Sequence, residues 1–278
     1  MRAVFVDKLI KRITRREHRK KEIMYLECNL FTRKGLDKEV NEDSFLIDRF
    51  DEYSEEIKNL SFNSDTMHIF AIFDGVSTGG NGKRSSEMAV QYLKNFIIKN
   101  KNSFEDLFCF FIDKLIWKIN IDLYKSFNEH GKSKWGTTMA MIIIYMDQCV
   151  LFNVGDSRIY RLMEGSLIQL SQDYTLESYK RHLGFLKQDP YISKKDSSIL
   201  YQCLGKNETI EYYKYGPFTI ESNDKLFMCS DGISGYLSSK NIITILNSDD
   251  KQKIYNLAEE ARKAGSIDDQ TGILISIS

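Results

Sequence analysis

The sequence has little proline and no long apolar run, and both absences limit what the protein can be. Only two prolines occur in 278 residues, and no stretch is rich in proline, glycine or serine, so no interdomain linker is indicated. The longest apolar run, MAMIIIYM at residues 139–146, is far too short to cross a bilayer. No apolar segment of the secretory type follows the basic N-terminus. We therefore expect one globular domain in the cytoplasm.

Cysteine and histidine are scarce, which excludes a disulfide framework and a zinc site. The five cysteines are odd in number, scattered, mostly within apolar runs, and form no C-x-x-C pair. This pattern predicts reduced, buried thiols. Four histidines occur, and none has neighbours in sequence that indicate a catalytic role. We interpret His68, inside an apolar run, as a core or surface residue with satisfied hydrogen bonds.

Net charge is also absent, but the charges are unevenly distributed. Lys and Arg together number 39, as do Asp and Glu, yet residues 1–21 hold nine Lys or Arg against two acidic residues. We assign residues 1–21 as a basic N-terminal arm and residues 22–278 as the folded domain. Apolar spacing permits the arm a short amphipathic helix that could contact a membrane surface or an acidic partner. A solvated, partly ordered terminal arm is the alternative that we favour. We expect no nucleic-acid partner, and the sequence does not specify an oligomeric state.

Apolar periodicity predicts strands in blocks rather than in strict alternation with helices. Strands are expected near residues 23–31, 44–48, 67–73, 137–145, 148–154, 157–163, 166–170, 209–215, 225–230 and 270–277. Helices are expected near residues 84–99, 104–127, 239–247 and 251–263. Blocks of strands favour an α+β fold with antiparallel layering. Residues 171–208 lack periodicity, which is typical of a functional surface loop or lid.

Acidic residues recur where the predicted strands begin or end. Asp74, Asp156 and Asp231 each follow an apolar strand, and the pairs Glu42-Asp43 and Asp268-Asp269 each precede one. Any single Asp-Gly is a favoured turn dipeptide. Five such positions indicate more, because carboxylates withdrawn from water repel one another unless a cation neutralises them. Oxygen ligands without His or Cys favour Mg²⁺ or Mn²⁺, and two such ions can activate a water for attack at phosphorus.

The glycine-rich stretch FAIFDGVSTGGNGKRSS at residues 70–86 raises a rival interpretation, the nucleotide-binding P-loop G-x-x-x-x-G-K-[ST]. Gly82-Lys83 supplies its G-K pair. The first glycine position is Ser77, however, and Arg84 stands where the Mg²⁺-binding hydroxyl is required. Because two required positions fail, the importance of this stretch shifts to Asp74 and Gly75.

Seven motifs in order resemble those of the metal-dependent PP2C-type (PPM) Ser/Thr protein phosphatases, and most closely the compact bacterial members. They are KEVNED at 38–43, DGV at 74–76, GTT at 136–138, GDSR at 155–158, LSQD at 170–173, SDG at 230–232 and DDQT at 268–271. The similarity runs over about residues 25–277, nearly the whole chain. It implies a four-layer α-β-β-α sandwich of two antiparallel sheets flanked by helices, with a two-metal site at one edge.

The resemblance also implies roles for individual residues. The implied metal residues are Glu42, Asp43, Asp74, Gly75, Asp156, Asp231 and Asp268. Asp74 would bridge two Mn²⁺ or Mg²⁺ ions as a catalytic residue, with the Gly75 carbonyl on one ion. Glu42, Asp231 and Asp268 would complete the second, and Asp43 would hold metal-bound water. Asp156, with Asp231, would hold the third, weaker ion of some members. Residues 172–200 would form a variable flap.

The chain departs from the family pattern at several positions. Lys38 replaces the catalytic, phosphate-binding Arg and loses its bidentate geometry. Arg33 is either a substitute or, as we favour, a solvated surface charge. Val76 stands where some members have a His proposed as general acid, so the proton donor is unassigned. Ser77-Thr78 replaces two glycines.

Other motif positions are interpreted as structural. Tyr174 and Asp269 replace a His and an Asn of the family motifs. Gly136-Thr137-Thr138 is expected to pack as a strand.

The sequence therefore predicts a Mg²⁺/Mn²⁺-dependent phosphatase acting on phosphoserine and phosphothreonine in phosphoproteins. No covalent intermediate is expected, because no Ser, Cys or His nucleophile has a partnered base in the sequence pattern. The alternative is a catalytically weak or inactive binding or regulatory module on the same fold, as the changes at Lys38 and Ser77-Thr78 suggest. The complete set of carboxylates favours the enzyme.

Overall fold

The computed structural model describes seven segments: residues 23–48, 58–77, 82–100, 104–129, 135–163, 165–183 and 199–278. The predicted basic arm at residues 1–21 lies outside the described residues, as do Thr78 and the middle of the predicted flap. The division into arm and domain therefore stays a prediction.

Strands form two groups in space. Those described are β1 (Tyr25–Arg33), β2 (Asp43–Ile47), β3 (Lys58–Asn63), β4 (His68–Ser77), β5 (Trp135–Thr137), β6 (Met139–Tyr145), β7 (Gln148–Val154), β8 (Arg158–Met163), β9 (Ser166–Gln169), β10 (Tyr213–Thr219), β11 (Lys225–Cys229) and β12 (Gln270–Ile277). One sheet has the order β3-β1-β12-β11-β8-β9, and the other has the order β10-β7-β6-β4-β2, with β5 paired to β4. Every strand pair in these sheets is antiparallel.

Helices cover the outer faces of both sheets. Those described are α1 (Gly82–Asn100), α2 (Phe104–Glu129), α3 (Leu176–His182), α4 (Asp231–Ser234), α5 (Ser239–Leu246) and α6 (Lys253–Lys263). Helices α1 and α2 pack on the second sheet through residues such as Leu93 and Ile116. Helices α5 and α6 pack on the first sheet through residues such as Leu246 and Leu257. The predicted four-layer α-β-β-α sandwich is confirmed.

The apolar run of β6 shows how the sequence specifies this layering. Ala140, Ile142 and Ile144 point into the core between the sheets. The alternate side chains, including Met141 and Ile143, point to the helices. Because successive side chains of a strand face opposite sides, a strand covered on both faces has no polar position. Burial of each large side chain here contributes roughly 1.5–3 kcal/mol.

The structure corrects several sequence-based boundaries. Strand β4 does not end before Asp74 but continues to Ser77, because β5 supplies hydrogen-bonding partners opposite Gly75 and Ser77. Strand β10 begins at Tyr213 rather than near residue 209, where the ladder with β7 begins opposite Asn153. Strand β3 and the short helices α3 and α4 were not predicted.

Candidate active site

Acidic side chains from both sheets meet at one edge of the sandwich. Asp43 begins β2 and lies directly opposite Asp74 of the adjacent strand β4. Asp231 is the first residue of α4, which follows β11 after one residue, and Asp268 precedes β12. Antiparallel pairing places these chain segments at the same end of the two sheets. The acidic residues that the sequence placed at strand ends are therefore neighbours in space.

Asp74 lies at the centre of this acidic cluster. Burial raises the pKa of Asp74 well above its ordinary value, and the charges of Asp43, Asp231, Asp268 and Asp156 raise it further. All four of these neighbouring charges are negative. Within the protein alone, ionising Asp74 is therefore unfavourable.

The other cluster carboxyls show the same repulsion. Burial raises the pKa of Asp231 to about 6, with the Asp268 charge adding to it and a side-chain hydrogen bond to Asp74 opposing it. Burial raises the pKa of Asp43 to about 7, and the Asp269 charge adds to that shift. Burial and the Asp231 charge raise the pKa of Asp156 well above its usual range. Asp156 is therefore close enough to the cluster to repel Asp74 and to be repelled by Asp231.

Glu42 connects this edge of the sandwich, which we call the acidic edge, to the start of α1. Its carboxylate Oε1 accepts a hydrogen bond from Gly82 N at 2.9 Å. Its carbonyl accepts from Gly75 N at 3.2 Å and from Ser86 Oγ at 2.6 Å. A carboxylate at a helix N-terminus is favourable because the first backbone N–H groups lack partners within the helix.

Two glycines make this close approach possible. A Cβ on Gly75 would collide with the Gly82 carbonyl and lie 2.7 Å from the Glu42 carbonyl oxygen. A Cβ on Gly82 would lie 2.7 Å from Glu42 Oε1. Gly82 is therefore a packing residue between β4 and Glu42, rather than part of a phosphate-binding loop.

The GTT motif has a role that the sequence analysis missed. The Thr137 hydroxyl and the Thr138 backbone N–H both donate to the Asp74 carbonyl at 2.9 Å. The Thr138 hydroxyl accepts from Asp74 N at 3.0 Å and lies 2.7 Å from Ser157 Oγ. The two threonines thus hold the Asp74 backbone from both sides. A polar Thr-Thr pair bordering an apolar strand was the available signal.

Asp43 is held by residues of two other motifs. Ser230 Oγ donates to Asp43 Oδ2 at 2.8 Å, and Thr271 N donates to Ser230 Oγ at 3.0 Å. The Asp43 side chain is fully buried. The serine before Asp231 therefore orients a second acidic residue.

Lys38 contacts acidic residues on the outer side of the cluster. Its Nζ lies 2.5 Å from Asp268 Oδ1, 2.9 Å from Asp269 Oδ2 and 3.5 Å from Glu42 Oε2. Asp269 also accepts from Gly35 N at 2.7 Å and from Glu42 N at 2.8 Å, so it joins two loops. The assignment of Lys38 to phosphate binding stays a prediction.

The interpretation of Arg33 as a solvated surface charge is wrong. Arg33 is buried and forms an ion pair with Glu259. Its Nε donates to Gln270 Oε1 at 2.7 Å, and its Nη2 donates to the Ala258 carbonyl at 2.9 Å. These contacts join β1, β12 and α6, so Arg33 is also a poor substitute for a phosphate-binding Arg.

Two further motifs are joined by an ion pair. Arg158 donates from Nε and Nη2 to Asp173, with Nη2 2.7 Å from Oδ2. Tyr174 N donates to the Gly155 carbonyl at 2.9 Å. Gly155 has a φ of 93°, a conformation that favours glycine. The base of the predicted flap is therefore fixed to the turn between β7 and β8, which bears Asp156.

The acidic cluster offers many carboxylate oxygens that could bind a metal ion, but these oxygens do not converge on one point. Across the described segments, no group of three His, Cys, Asp or Glu side chains has the geometry of an assembled metal site. The side chains that meet here are carboxylates, which suit a hard cation. The predicted metal residues therefore stay a prediction at the level of individual ligands.

Comparison with known proteins decides the family. A family model described as "Protein phosphatase 2C" matches residues 52–262 of this chain. The chain belongs to the protein phosphatase 2C family. Its resemblance to that family, predicted from the seven motifs, is confirmed. As a family member it is a protein serine/threonine phosphatase, and its substrates are phosphoproteins.

Two bacterial phosphatases are similar to this chain in sequence. It is 28% identical over 208 residues to "Serine/threonine phosphatase stp" of Listeria monocytogenes serotype 4b (strain F2365), a match that covers 72% of this chain and 80% of the relative. It is 27% identical over 219 residues to "Protein phosphatase PhpP" of Streptococcus pneumoniae serotype 2, which covers 77% of this chain and 86% of the relative.

Solved structures share the fold. A serine/threonine phosphatase of S. agalactiae superposes with a TM-score of 0.75 at 23% identity, over 91% of this chain and 100% of that one. The catalytic domain of PstP, solved with two manganese ions, superposes with a TM-score of 0.70 at 21% identity, over 91% and 99% of the two chains. Among the described helices of this phosphatase, none combines the length and apolar character needed to span a membrane.

Proposed function

We propose that this phosphatase removes phosphate from phosphoserine and phosphothreonine side chains with the help of divalent cations held at the acidic edge. The observation that supports the proposal most is the position of Asp74, surrounded by carboxylates from both sheets. The names of the curated relatives support the serine/threonine specificity.

The residues at this edge fit a hard divalent cation. Buried carboxylates repel one another, and the charges of Asp43, Asp231, Asp268 and Asp156 all oppose ionisation of Asp74. The manganese-bound PstP structure supports Mn²⁺ as one suitable ion. Two ions would be held by Glu42, Asp74, the Gly75 carbonyl, Asp231 and Asp268. Asp43 would hold a water beside them, and Asp156 with Asp231 would offer a third position.

Divalent ions, when bound, neutralise phosphate charge and lower the pKa of water. The chain's own contribution is to place the ligands. Thr137 and Thr138 fix the Asp74 backbone. Ser230 orients Asp43. The hydrogen bonds from Gly75 N and Gly82 N to Glu42 fix the position of Glu42 beside β4.

Direct attack of water is also favoured by the state of the cysteines. In the described part of the chain, the thiols of Cys28, Cys149, Cys203 and Cys229 are buried. Burial raises the pKa of both Cys203 and Cys229 to about 12. Such thiols are poor nucleophiles near neutral pH. The side chain of the fifth cysteine, Cys109, lies outside the described residues.

The proposal is tested by phosphate release from a phosphothreonine peptide and from p-nitrophenyl phosphate. We expect turnover in Mn²⁺, none in EDTA, and a loss of at least about 100-fold in kcat for Asp74→Asn and Asp231→Asn. Circular dichroism of both variants checks that they fold. Full activity in EDTA, or activity unaffected by both substitutions, would contradict the proposal.

A binding module is the second candidate, favoured by the ion pairs of Lys38. The cation at the position of the family's phosphate-binding Arg is engaged with Asp268 and Asp269. If this module lacks turnover, the wild-type chain will bind the phosphopeptide in a fluorescence-anisotropy titration but release no phosphate in Mn²⁺ or Mg²⁺. Steady phosphate release would exclude this candidate.

A further inference from the structure

Lys38 lies on the loop between β1 and β2, and its ammonium group is surrounded by three carboxylates. The closest oxygen is Asp268 Oδ1 at 2.5 Å, followed by Asp269 Oδ2 at 2.9 Å. Glu42 Oε2 lies at 3.5 Å. The loop is held in place from behind, since Lys34 Nζ donates to the Lys38 carbonyl at 2.8 Å. The ammonium therefore neutralises one side of the acidic edge.

The three acidic partners of Lys38 differ in kind. Glu42 and Asp268 belong to the proposed metal ligands. Asp269 does not, and its carboxylate is already fixed by the backbone N–H groups of Gly35 and Glu42. Asp269 is also buried, whereas the Asp268 side chain is 40% exposed. Lys38 thus has one fixed partner and two partners that a cation would share.

An ammonium and a divalent ion cannot use the same carboxylate oxygens without cost. Hard cations bind such oxygens at about 2.0–2.6 Å, a distance similar to that of Lys38 Nζ from Asp268 Oδ1. Two cations that share one carboxylate are also close to each other, so they repel in a partly buried site. Binding of a divalent ion to Asp268 and Glu42 must therefore weaken their contacts with Lys38.

We propose that Lys38 is an internal counter-ion that sets the affinity of the acidic edge for divalent cations, by competing with them for Asp268 and Glu42. When a cation binds, the ammonium retains Asp269 as its partner. This inference rests on the proposed function, because it concerns the same metal ligands. It makes Lys38 a residue that tunes affinity, whether or not it also contacts phosphate.

Isothermal titration of the full chain with Mn²⁺ tests the competition. We expect Lys38→Met to bind Mn²⁺ about tenfold more tightly than wild type, because the variant removes the competing charge. Lys38→Arg keeps the charge, and its affinity should stay within about threefold of wild type. In EDTA, Lys38→Met should also unfold at a lower temperature than wild type, because the carboxylates lose their counter-ion.

Lys118→Met is the matched control for the loss of one positive charge. Lys118 forms an exposed ion pair with Asp122 at 2.7 Å on α2, away from the acidic edge. Its Mn²⁺ affinity should equal that of wild type within about twofold. If Lys38→Met does not fold in EDTA, Lys38→Gln replaces it, since a glutamine amide can still donate to Asp269.

The results distinguish failure of the inference from failure of the proposed function. If wild type binds Mn²⁺ and dephosphorylates a peptide, but the neutral Lys38 variant binds Mn²⁺ equally or more weakly, the competition is overturned and the function stands. If wild type neither binds Mn²⁺ nor turns over, both are overturned. If turnover needs no divalent ion and Mn²⁺ does not bind, the metal centre and the competition fail while phosphatase activity remains.

Discussion

The two ends of the β2–β4 pair handle buried charge in opposite ways. At one end, Asp43 and Asp74 face each other with further carboxylates around them. At the other end, Asp48 Oδ2 pairs with His68 Nδ1 at 2.8 Å, and Asp48 Oδ1 accepts from Ile69 N at 2.9 Å. One end of this strand pair therefore carries groups of opposite charge in contact, which we call a matched pair. The other end carries a cluster of like charges.

Strand β11 repeats this contrast on the other sheet. Asp224 precedes the strand, forms an ion pair with Arg161 and accepts from Glu221 N at 2.9 Å. Asp231 follows the strand by two residues and belongs to the acidic edge. Removing one partner of a buried ion pair destabilises the fold, whereas removing one of several like charges relieves repulsion. The comparison indicates that the acidic edge is kept for function rather than for stability.

Breaking the ion pair between Arg161 and Asp224, at the start of β11, should have the largest effect on stability. Arg161→Met would leave the Asp224 carboxylate buried without its cation, so we expect a loss of about 3–5 kcal/mol in the free energy of unfolding. Urea denaturation measures the change. Arg181→Met removes an exposed pair with Glu177 and should cost less than about 1 kcal/mol. Equal losses for the two variants would contradict the contrast.

Loosening the backbone support of Asp74 should have an intermediate effect. Thr138→Val keeps the shape of the side chain but removes the hydroxyl between Asp74 N and Ser157 Oγ. We expect a loss of about 1–2 kcal/mol in stability and about tenfold in kcat with little change in KM. Thr244→Val on α5 removes an exposed hydroxyl contact with Lys240 and serves as the control. An unchanged kcat for Thr138→Val would show that the hydroxyl does not position Asp74.

The histidine pair should give the smallest effect and a defined pH dependence. Burial lowers the pKa of His68, but the hydrogen bond and charge of Asp48 outweigh it, so the pKa is raised. A raised pKa means that the pair's stabilisation is present below the unfolded-state pKa of about 6.5 and is lost as pH rises through the folded-state pKa.

NMR titration of the imidazole checks this sign. The His68 pKa should fall in Asp48→Asn, and the stability difference between wild type and variant should shrink from pH 5 to pH 8. We expect that difference to stay below about 1 kcal/mol. A His68 pKa that is unchanged in the variant would contradict the assignment.

The sequence predicted the layers well because strand and helix periodicities reflect local burial. The run at residues 139–146 shows this, since it has no polar position and lies between two covered faces. Strand β3 was missed because Leu60 and Phe62 are its only large apolar residues. The acidic edge was predicted from strand ends and from motif resemblance.

What the sequence missed depends on contacts distant along the chain. Arg33 was misassigned because Glu259 and Gln270, which bind it, lie more than 220 residues away. Lys38 meets Asp268 and Asp269 only because β1 pairs with β12. No local pattern near either basic residue reports such partners.

The contrast between matched and accumulated charge is tested most directly by urea unfolding of Asp74→Asn and Asp224→Asn in EDTA at pH 7.5. Asp74→Asn should be about 1 kcal/mol more stable than wild type, because it removes a carboxylate surrounded by like charges, although it destroys activity. Asp224→Asn should be less stable, because it leaves Arg161 without its partner. If Asp74→Asn is destabilised as much as Asp224→Asn, the acidic edge is a structural element and the account is contradicted.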